Sequence, residues 1–258
     1  MKNYLTLLQK ELTESFRNGK WIWLPIAFMI IGITQPITTY YMPQILENAG
    51  NIPEGTVIEI PTPSGVEVLA STLSQYGMIG SLLFVLSAMG VIDNERQNGA
   101  LTLVMVRPVT AIQYIASKWT GQVLIALTSF LLSYGLTFYY TNLLFEQVKW
   151  ELVITSFLIY SLWIIFIFSV TILAGTFIKS ASGISAVSIS FVGGLSVISN
   201  LFTKFTTWSP TNLRTHASAI LMEGKLMENS ITVIMTTIGL SLLLLLIATF
   251  QFRRLEQY

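Results

Sequence analysis

Six apolar runs divide the chain, at about 21–41, 72–92, 117–141, 150–178, 182–202 and 229–252. Each holds the roughly 20 mostly apolar residues that one helical crossing of a bilayer core requires. Strands of a membrane barrel alternate apolar and polar residues with period two, whereas Leu240 to Ile247 is apolar at every position but Ser241. The pattern therefore predicts an all-α, polytopic membrane protein: one transmembrane domain over residues 1–258 with six transmembrane helices. The fourth run, and the third with its lead-in, exceed the minimum length, which predicts tilt or extension beyond the lipid.

Ahead of the first run, Tyr4, Leu5, Leu8, Leu12 and Phe16 recur at helical spacing, with Lys2, Gln9, Lys10, Thr13 and Arg17 on the other face. Residues 1–20 are thus expected to form an amphipathic helix in the membrane interface, or a basic flank that orients the first span. They lack the apolar core and cleavage site of a signal peptide, so the first span is expected to serve as its own insertion signal.

Composition narrows the chemistry. The chain is 53% hydrophobic and only 10% charged, with a formal net charge of +1, against about 25% charged in an average soluble domain. It has no cysteine, which removes disulfides and thiolate chemistry. Within the apolar runs only Lys118 and Glu151, at the ends of theirs, are ionisable, a poor fit to a proton-driven carrier. Gly19-Lys20 and Gly224-Lys225 lack the context of a phosphate-binding loop. The chain is therefore not expected to be an enzyme or to hold a cofactor or metal, and any nucleotide belongs to another subunit. No nucleic-acid partner is expected.

Orientation follows from Lys and Arg in the connecting segments. With the N-terminus inside, the inner side holds Lys2, Lys10, Arg17, Lys20, Arg96, Arg107, Lys118, Lys179, Arg253 and Arg254, and the outer side only Lys149, Lys204, Arg214 and Lys225. Both termini are expected in the cytoplasm. Trp21, Trp23 and Trp119 then mark inner span ends, and Tyr40, Tyr41, Tyr139, Tyr140, Trp150 and Trp208 mark outer ones.

One polar island, residues 93–116 and on to Lys118, separates the second and third runs on the inner side. Asp93 or Asn94 can end the second span, Asn98-Gly99 signals a turn, and Pro108 forces a break after the short apolar segment Ala100 to Val106. Thr110 with Gln113 has capping-box spacing for the helix that leads into the third span. The expected product is a short helix across the membrane surface. Its Leu101, Leu103, Val104, Met105 and Val106 require burial against lipid, neighbouring helices or a partner. Glu95 and Arg96 are candidates for charge-assisted contacts at its base, Gly99 for a tight turn and Pro108 for stiffness. Plain loop architecture is the competing reading of each, and of Arg107.

On the fifth run, Ser182, Ala186, Ser190 and Gly194 form a stripe that lets a second helix approach closely, within one subunit or across a dimer. The outer segment 42–71 carries Glu47, Glu54, Glu59 and Glu67, with Pro43, Pro53, Pro61 and Pro63, and no Lys or Arg; it reads as a solvated acidic cap, or as a mouth favouring release of cationic peptides. In the outer segment 203–228, Trp208, Leu213, Ile220, Leu221 and Met222 predict short interfacial helices, with a structural His216 among them. A stand-alone channel remains an alternative. An intramembrane serine protease at Gly194-Leu195-Ser196 lacks a base, because the only histidine is predicted in an outer loop.

The series Glu95-Arg96-x-x-Gly99-x-Leu101, then Arg107-Pro108-Val109-Thr110, Tyr114 and Lys118, resembles the six-span type-2 permeases of ATP-binding-cassette exporters. Ala100 departs from it, where that family often has Thr. Residues from Ser209-Pro210 to Gly224 are similar to that family's outer half-helices. The resemblance covers essentially the whole chain. It implies that the island is a coupling helix, docked in a groove of a cytoplasmic ATPase, with Glu95, Arg96, Gly99, Leu101, Arg107 and Pro108 at the junction. It further implies a bacterial cell-membrane permease half, joined by a second or related permease and by two ATPase subunits that hold ATP and Mg. Apolar walls suit amphipathic, antimicrobial or toxin-like peptides, hydrophobic drugs or lipids, with peptide export or immunity foremost.

Overall fold

The computed structural model describes residues 2–48, 63–105 and 109–256. Every regular element among them is helical: α1 Lys2–Arg17, α2 Lys20–Asn48, α3 Gly65–Gln75, a π-helical turn Tyr76–Gly80, α4 Ser81–Ala88, α5 Gly90–Gln97, α6 Ala100–Met105, α7 Ala111–Leu144, α8 Trp150–Phe177, α9 Ala181–Leu201, α10 Asn212–Glu223 and α11 Ser230–Glu256. Six stretches are long and apolar enough to cross a membrane: Lys20–Leu46, Gly65–Gln97, Ala111–Leu144, Trp150–Phe177, Ala181–Leu201 and Ser230–Arg254. The second is a composite of α3, the π-turn, α4 and α5. One end of the bundle carries α1, α5 and α6; the other, the far end, carries α10.

Two boundaries differ from the sequence reading. Residues 42–48 continue α2, with Pro43 inside the helix, and residues 65–71 already belong to α3. The cause at α3 is local: Ser64 is the N-cap and Glu67 reaches back to the Ser64 amide at 2.7 Å, a capping box. Glu67 thus starts a helix and is not part of an open acidic cap. Glu54 and Glu59 lie outside the described residues. The box expected at α7 is present, with Gln113 N donating to Thr110 Oγ1 at 3.3 Å and Thr110 N to Gln113 Oε1 at 3.2 Å.

The most extensive helix pairing, α2 on α7, depends on Gly32. A Cβ there would fall 2.5 Å from Thr137 Oγ1 and into the hydroxyls of Tyr76 and Ser133 as well. The missing side chain lets the helix backbones close over a buried polar knot, in which Tyr76 bonds Ser133 and Ser133 donates to the Phe28 carbonyl. Small residues and interhelical hydroxyl bonds are what hold helices together where lipid is as apolar as the side chains. Around the knot, Phe28 stacks on Phe84 at 4.4 Å and Phe130 on Tyr160 at 4.9 Å.

Helix α10 is wedged into the bundle and does not lie along its surface. Leu213, Ala217, Ile220 and Leu221 are buried in the main core, against α8 and α3, while Trp208 and Met222 stay exposed. The expected interfacial position fails because Leu213, Ala217 and Ile220 form one helical stripe, i, i+4, i+7, that finds protein to cover it. Left-handed Gly224 ends the helix at φ 69°.

Candidate functional site

The polar island folds inward. α5 ends at Asn98, and Gly99 turns the chain at φ 71°, a conformation that favours glycine. Leu101 of α6 is 5% exposed and enters an apolar cluster with Ile92, Tyr114, Ile115, Ile172 and Phe252, where Tyr114 stacks on Phe252 at 4.6 Å. Arg96 donates to the carbonyls of Gly175 at 2.7 Å, Ile178 at 3.0 Å and Thr176 at 3.2 Å, which makes it the cap of the α8 C-terminus. Those carbonyls would otherwise lack partners, and the negative end of the helix dipole favours a cation there.

Glu95 is the centre of the arrangement and only 2% exposed. Its Oε2 accepts from the Tyr114 hydroxyl at 2.7 Å, and its Oε1 lies 3.0 Å from Lys118 Nζ and in contact with Lys10 Nζ. Lys118, 1% exposed, also pairs with Glu11 of α1 at 2.9 Å. Lys10 adds Glu14 at 3.2 Å and Glu11 at 3.4 Å. The three carboxylates converge within 4.8 Å of one another, with the two ammonium groups between them. Positive charge is already supplied there, so the cluster reads as an ion-pair network and not as a metal cradle. It joins α1, α5 and α7. Lys20, at the head of α2, donates to the Ser87 carbonyl at 2.6 Å and to Gln122 Oε1 at 2.8 Å, which brings in the first span. A cleft of about 410 Å³, lined in part by Glu11, Glu14, Lys20, Asn94 and Gln122, opens beside the network.

Of the predicted site residues, Glu95, Arg96 and Leu101 meet here, and Gly99 sits at the turn with open space where a side chain would be. Arg107 and Pro108 lie outside the described residues. Tyr114 and Lys118, quoted only as part of a motif, prove to be direct partners of Glu95. Glu11 was missed. The face of α1 that packs on α7 is marked by Tyr4, Leu8, Glu11 and Ser15, whereas Leu5 and Phe16 of the expected apolar face are 60% and 67% exposed. Lys118 held the signal, since a cation inside an apolar span requires a partner. The stripe Ser182, Ala186 and Ser190 is exposed, and Gly194 meets nothing within 4 Å. Among the described residues it packs on no other helix. Ser196 Oγ donates to the Val192 carbonyl and accepts from Arg214, while His216 Nδ1 bonds Ser230 at 2.7 Å, so serine and histidine do not form a nucleophile–base pair.

Comparison with known proteins agrees with this architecture. A family model described as ABC-2 family transporter protein matches residues 5–251. The chain belongs to the ABC-2 transporter family. This ABC-2 chain is also 41% identical over 258 residues, the full length of both proteins, to YxlG of Bacillus subtilis (strain 168), described as an uncharacterized transmembrane protein. Membership makes the ABC-2 chain a membrane component of transport and implies an ATP-binding-cassette partner.

Proposed function

We propose that the chain is the permease subunit of an ATP-binding-cassette exporter, with the α1 end in the cytoplasm and the segment α5–α6 receiving force from a separate ATPase. The observation that carries this reading is the Glu11–Lys118–Glu95 network. It ties the segment between the second and third spans to the N-terminal helix and to the third span through buried ion pairs, so a push on α6 moves three elements together. Leu101 and the Arg96 cap extend the same unit to α8 and α11. Glu95 and Arg96 act from inside, as the rigid base of the docking segment, while the exposed turn at Gly99 faces the partner.

In this reading two ATPase subunits bind ATP and Mg, and a second copy or a related permease completes the path. The exposed stripe Ser182, Ala186, Ser190 and Gly194 is suited to that subunit contact. The cargo is an amphipathic or toxin-like peptide, a hydrophobic drug or a lipid, and the location is the bacterial cell membrane.

Gly99 supplies the test. Gly99→Ala strains the left-handed turn by about 1–2 kcal/mol and adds little bulk, whereas Gly99→Trp places a large ring in the open space at that turn. With the ATPase co-reconstituted in proteoliposomes, Gly99→Ala is expected to keep most ATP-driven export, and Gly99→Trp to lose export and ATPase association while remaining folded. Normal export by Gly99→Trp would sink the docking assignment, and flux without any ATPase would favour the stand-alone channel.

A further inference from the structure

On the far side of the molecule from the ion network, a second cation enters the bundle. Arg214 of α10 is half-buried and reaches between the second, fourth and fifth spans. Its Nε donates to the Thr211 carbonyl at 3.4 Å, Nη1 to the Gly77 carbonyl at 3.2 Å and Nη2 to Ser196 Oγ at 3.2 Å. Its plane lies 5.1 Å from the Trp163 ring. Gly77 and Trp163 each stand about 18–20 Å along their helices from the far end, at 1.5 Å per residue. The guanidinium thus lies well inside the span region.

Three features mark its partnering as incomplete. No carboxylate pairs with Arg214 among the described residues. Its three bonds are long beside the 2.7–2.9 Å usual for charge-assisted contacts and use three of five N–H donors. One turn from Trp163 on the same helix, the buried Tyr160 hydroxyl has no hydrogen-bond partner among the described residues. The guanidinium stays charged. The glycine at 77 makes the seat, since a Cβ there would lie 3.0 Å from Arg214 Nη1. Next to Gly77 and Ser196 the outward residues are apolar, with Met78 76%, Ile79 43%, Val197 57% and Ile198 50% exposed.

We infer that Arg214, Ser196 and Tyr160 form an anion-binding subsite that takes the head of an amphiphilic cargo, a carboxylate or a phosphate carried on an apolar chain. The inference rests on the permease reading and names its substrate class. An uncompensated cation with spare donors attracts a negative head, the unpartnered Tyr160 hydroxyl adds a donor, Ser196 holds the guanidinium in place, and Met78, Ile79, Val197 and Ile198 supply the apolar wall along which the chain lies.

The test is binding, which requires no ATPase, so its failure is distinguishable from a failure of ATP-driven export. Purified full-length protein in nanodiscs of zwitterionic lipid is loaded with a fluorescent fatty acid, and displacement is titrated with dodecyl phosphate, dodecanoate and dodecyltrimethylammonium. Both anionic probes are expected to displace it, and the ratio between them tells a phosphate head from a carboxylate; the cationic probe is expected to be at least tenfold weaker. Arg214→Gln is expected to weaken the anions at least tenfold, Arg214→Lys less, and Ser196→Ala and Tyr160→Phe about threefold each. Equal displacement by the cationic probe, or unchanged anion affinity in Arg214→Gln, overturns the inference. Should Arg214→Gln fail to fold, Tyr160→Phe decides: it removes only an unpartnered hydroxyl, and unchanged affinity for both anions then overturns the subsite.

Discussion

Replacing Lys118 by methionine keeps a long linear side chain and deletes one charge, which makes it a sharp probe of the ion network. Lys118 bridges Glu11 at 2.9 Å and Glu95 at 3.0 Å, and all three groups are nearly inaccessible. Without it the two carboxylates face each other within 4.8 Å. At an effective dielectric constant of about 20, two unit charges at that distance repel by roughly 3.5 kcal/mol. The figure agrees with the 3–5 kcal/mol typical of breaking a buried pair from one side. Lys10 remains to screen part of it, so about 3 kcal/mol is expected.

Removing both partners behaves differently, because replacing a whole buried pair is often neutral. Glu95→Gln relieves the repulsion left by Lys118→Met, and the double variant is expected to lose at least about 2 kcal/mol less than the two single losses added together. Reversible unfolding in mixed micelles of neutral detergent and rising dodecyl sulfate measures this, followed by fluorescence of the six tryptophans. Additivity within about 0.5 kcal/mol would refute the network as an energetic unit.

Asp93 offers a contrast on the same helix. It is 1% exposed, with Oδ2 accepting from Gln97 at 2.8 Å and Oδ1 lacking a partner among the described residues; Asp93→Asn is therefore expected to change stability by less than about 1 kcal/mol or to raise it, and a loss above 2 kcal/mol would contradict that. Gly32→Ala drives a methyl group into three hydroxyls and is expected to cost about 1–3 kcal/mol, while Gly135→Ala, with nothing within 4 Å, is expected to be neutral or slightly stabilising in the same unfolding assay. His216 is held below its ordinary value of 6.5 by burial. The unfolded chain therefore takes up the proton first, so the stability tied to His216 is complete above about pH 6.5 and is lost as pH falls below it. The native protein is expected to lose more unfolding free energy than His216→Gln between pH 7.5 and 5.5.

Much of the architecture was legible because lipid imposes it. Runs such as Leu240 to Ile247 announce a span without tertiary information, and Thr110 with Gln113 announces a helix start. The pattern ends the second span too early, because Glu67 and the prolines before it suggest solvent, whereas Glu67 serves a helix N-terminus. The charged end was half legible. Glu95, Arg96 and Leu101 were picked out by pattern, but nothing local reveals that Glu95 turns inward to Lys118 and Glu11, residues 23 and 84 positions away. Arg214 reads as a loop cation because α10 lacks the length of a span; its depth depends on where α3 and α8 leave room.

The π-turn at Tyr76–Gly80 carries a consequence far from its own position. Buried positions along the second span recur in pairs four residues apart: 68 and 69, 72 and 73, 76 and 77, 80 and 81, 84 and 85. A stripe of period four would rotate about 40° with each repeat around a regular α-helix, and a locally widened turn takes back part of that rotation. Deleting one residue there would let the widened turn close to a regular one and leave Glu95 near its place, whereas inserting one would turn everything beyond it by about 100° around the helix axis and swing Glu95 away from Lys118. The chain should therefore tolerate point substitutions at Met78 or Ile79, both exposed, far better than a single-codon insertion between them.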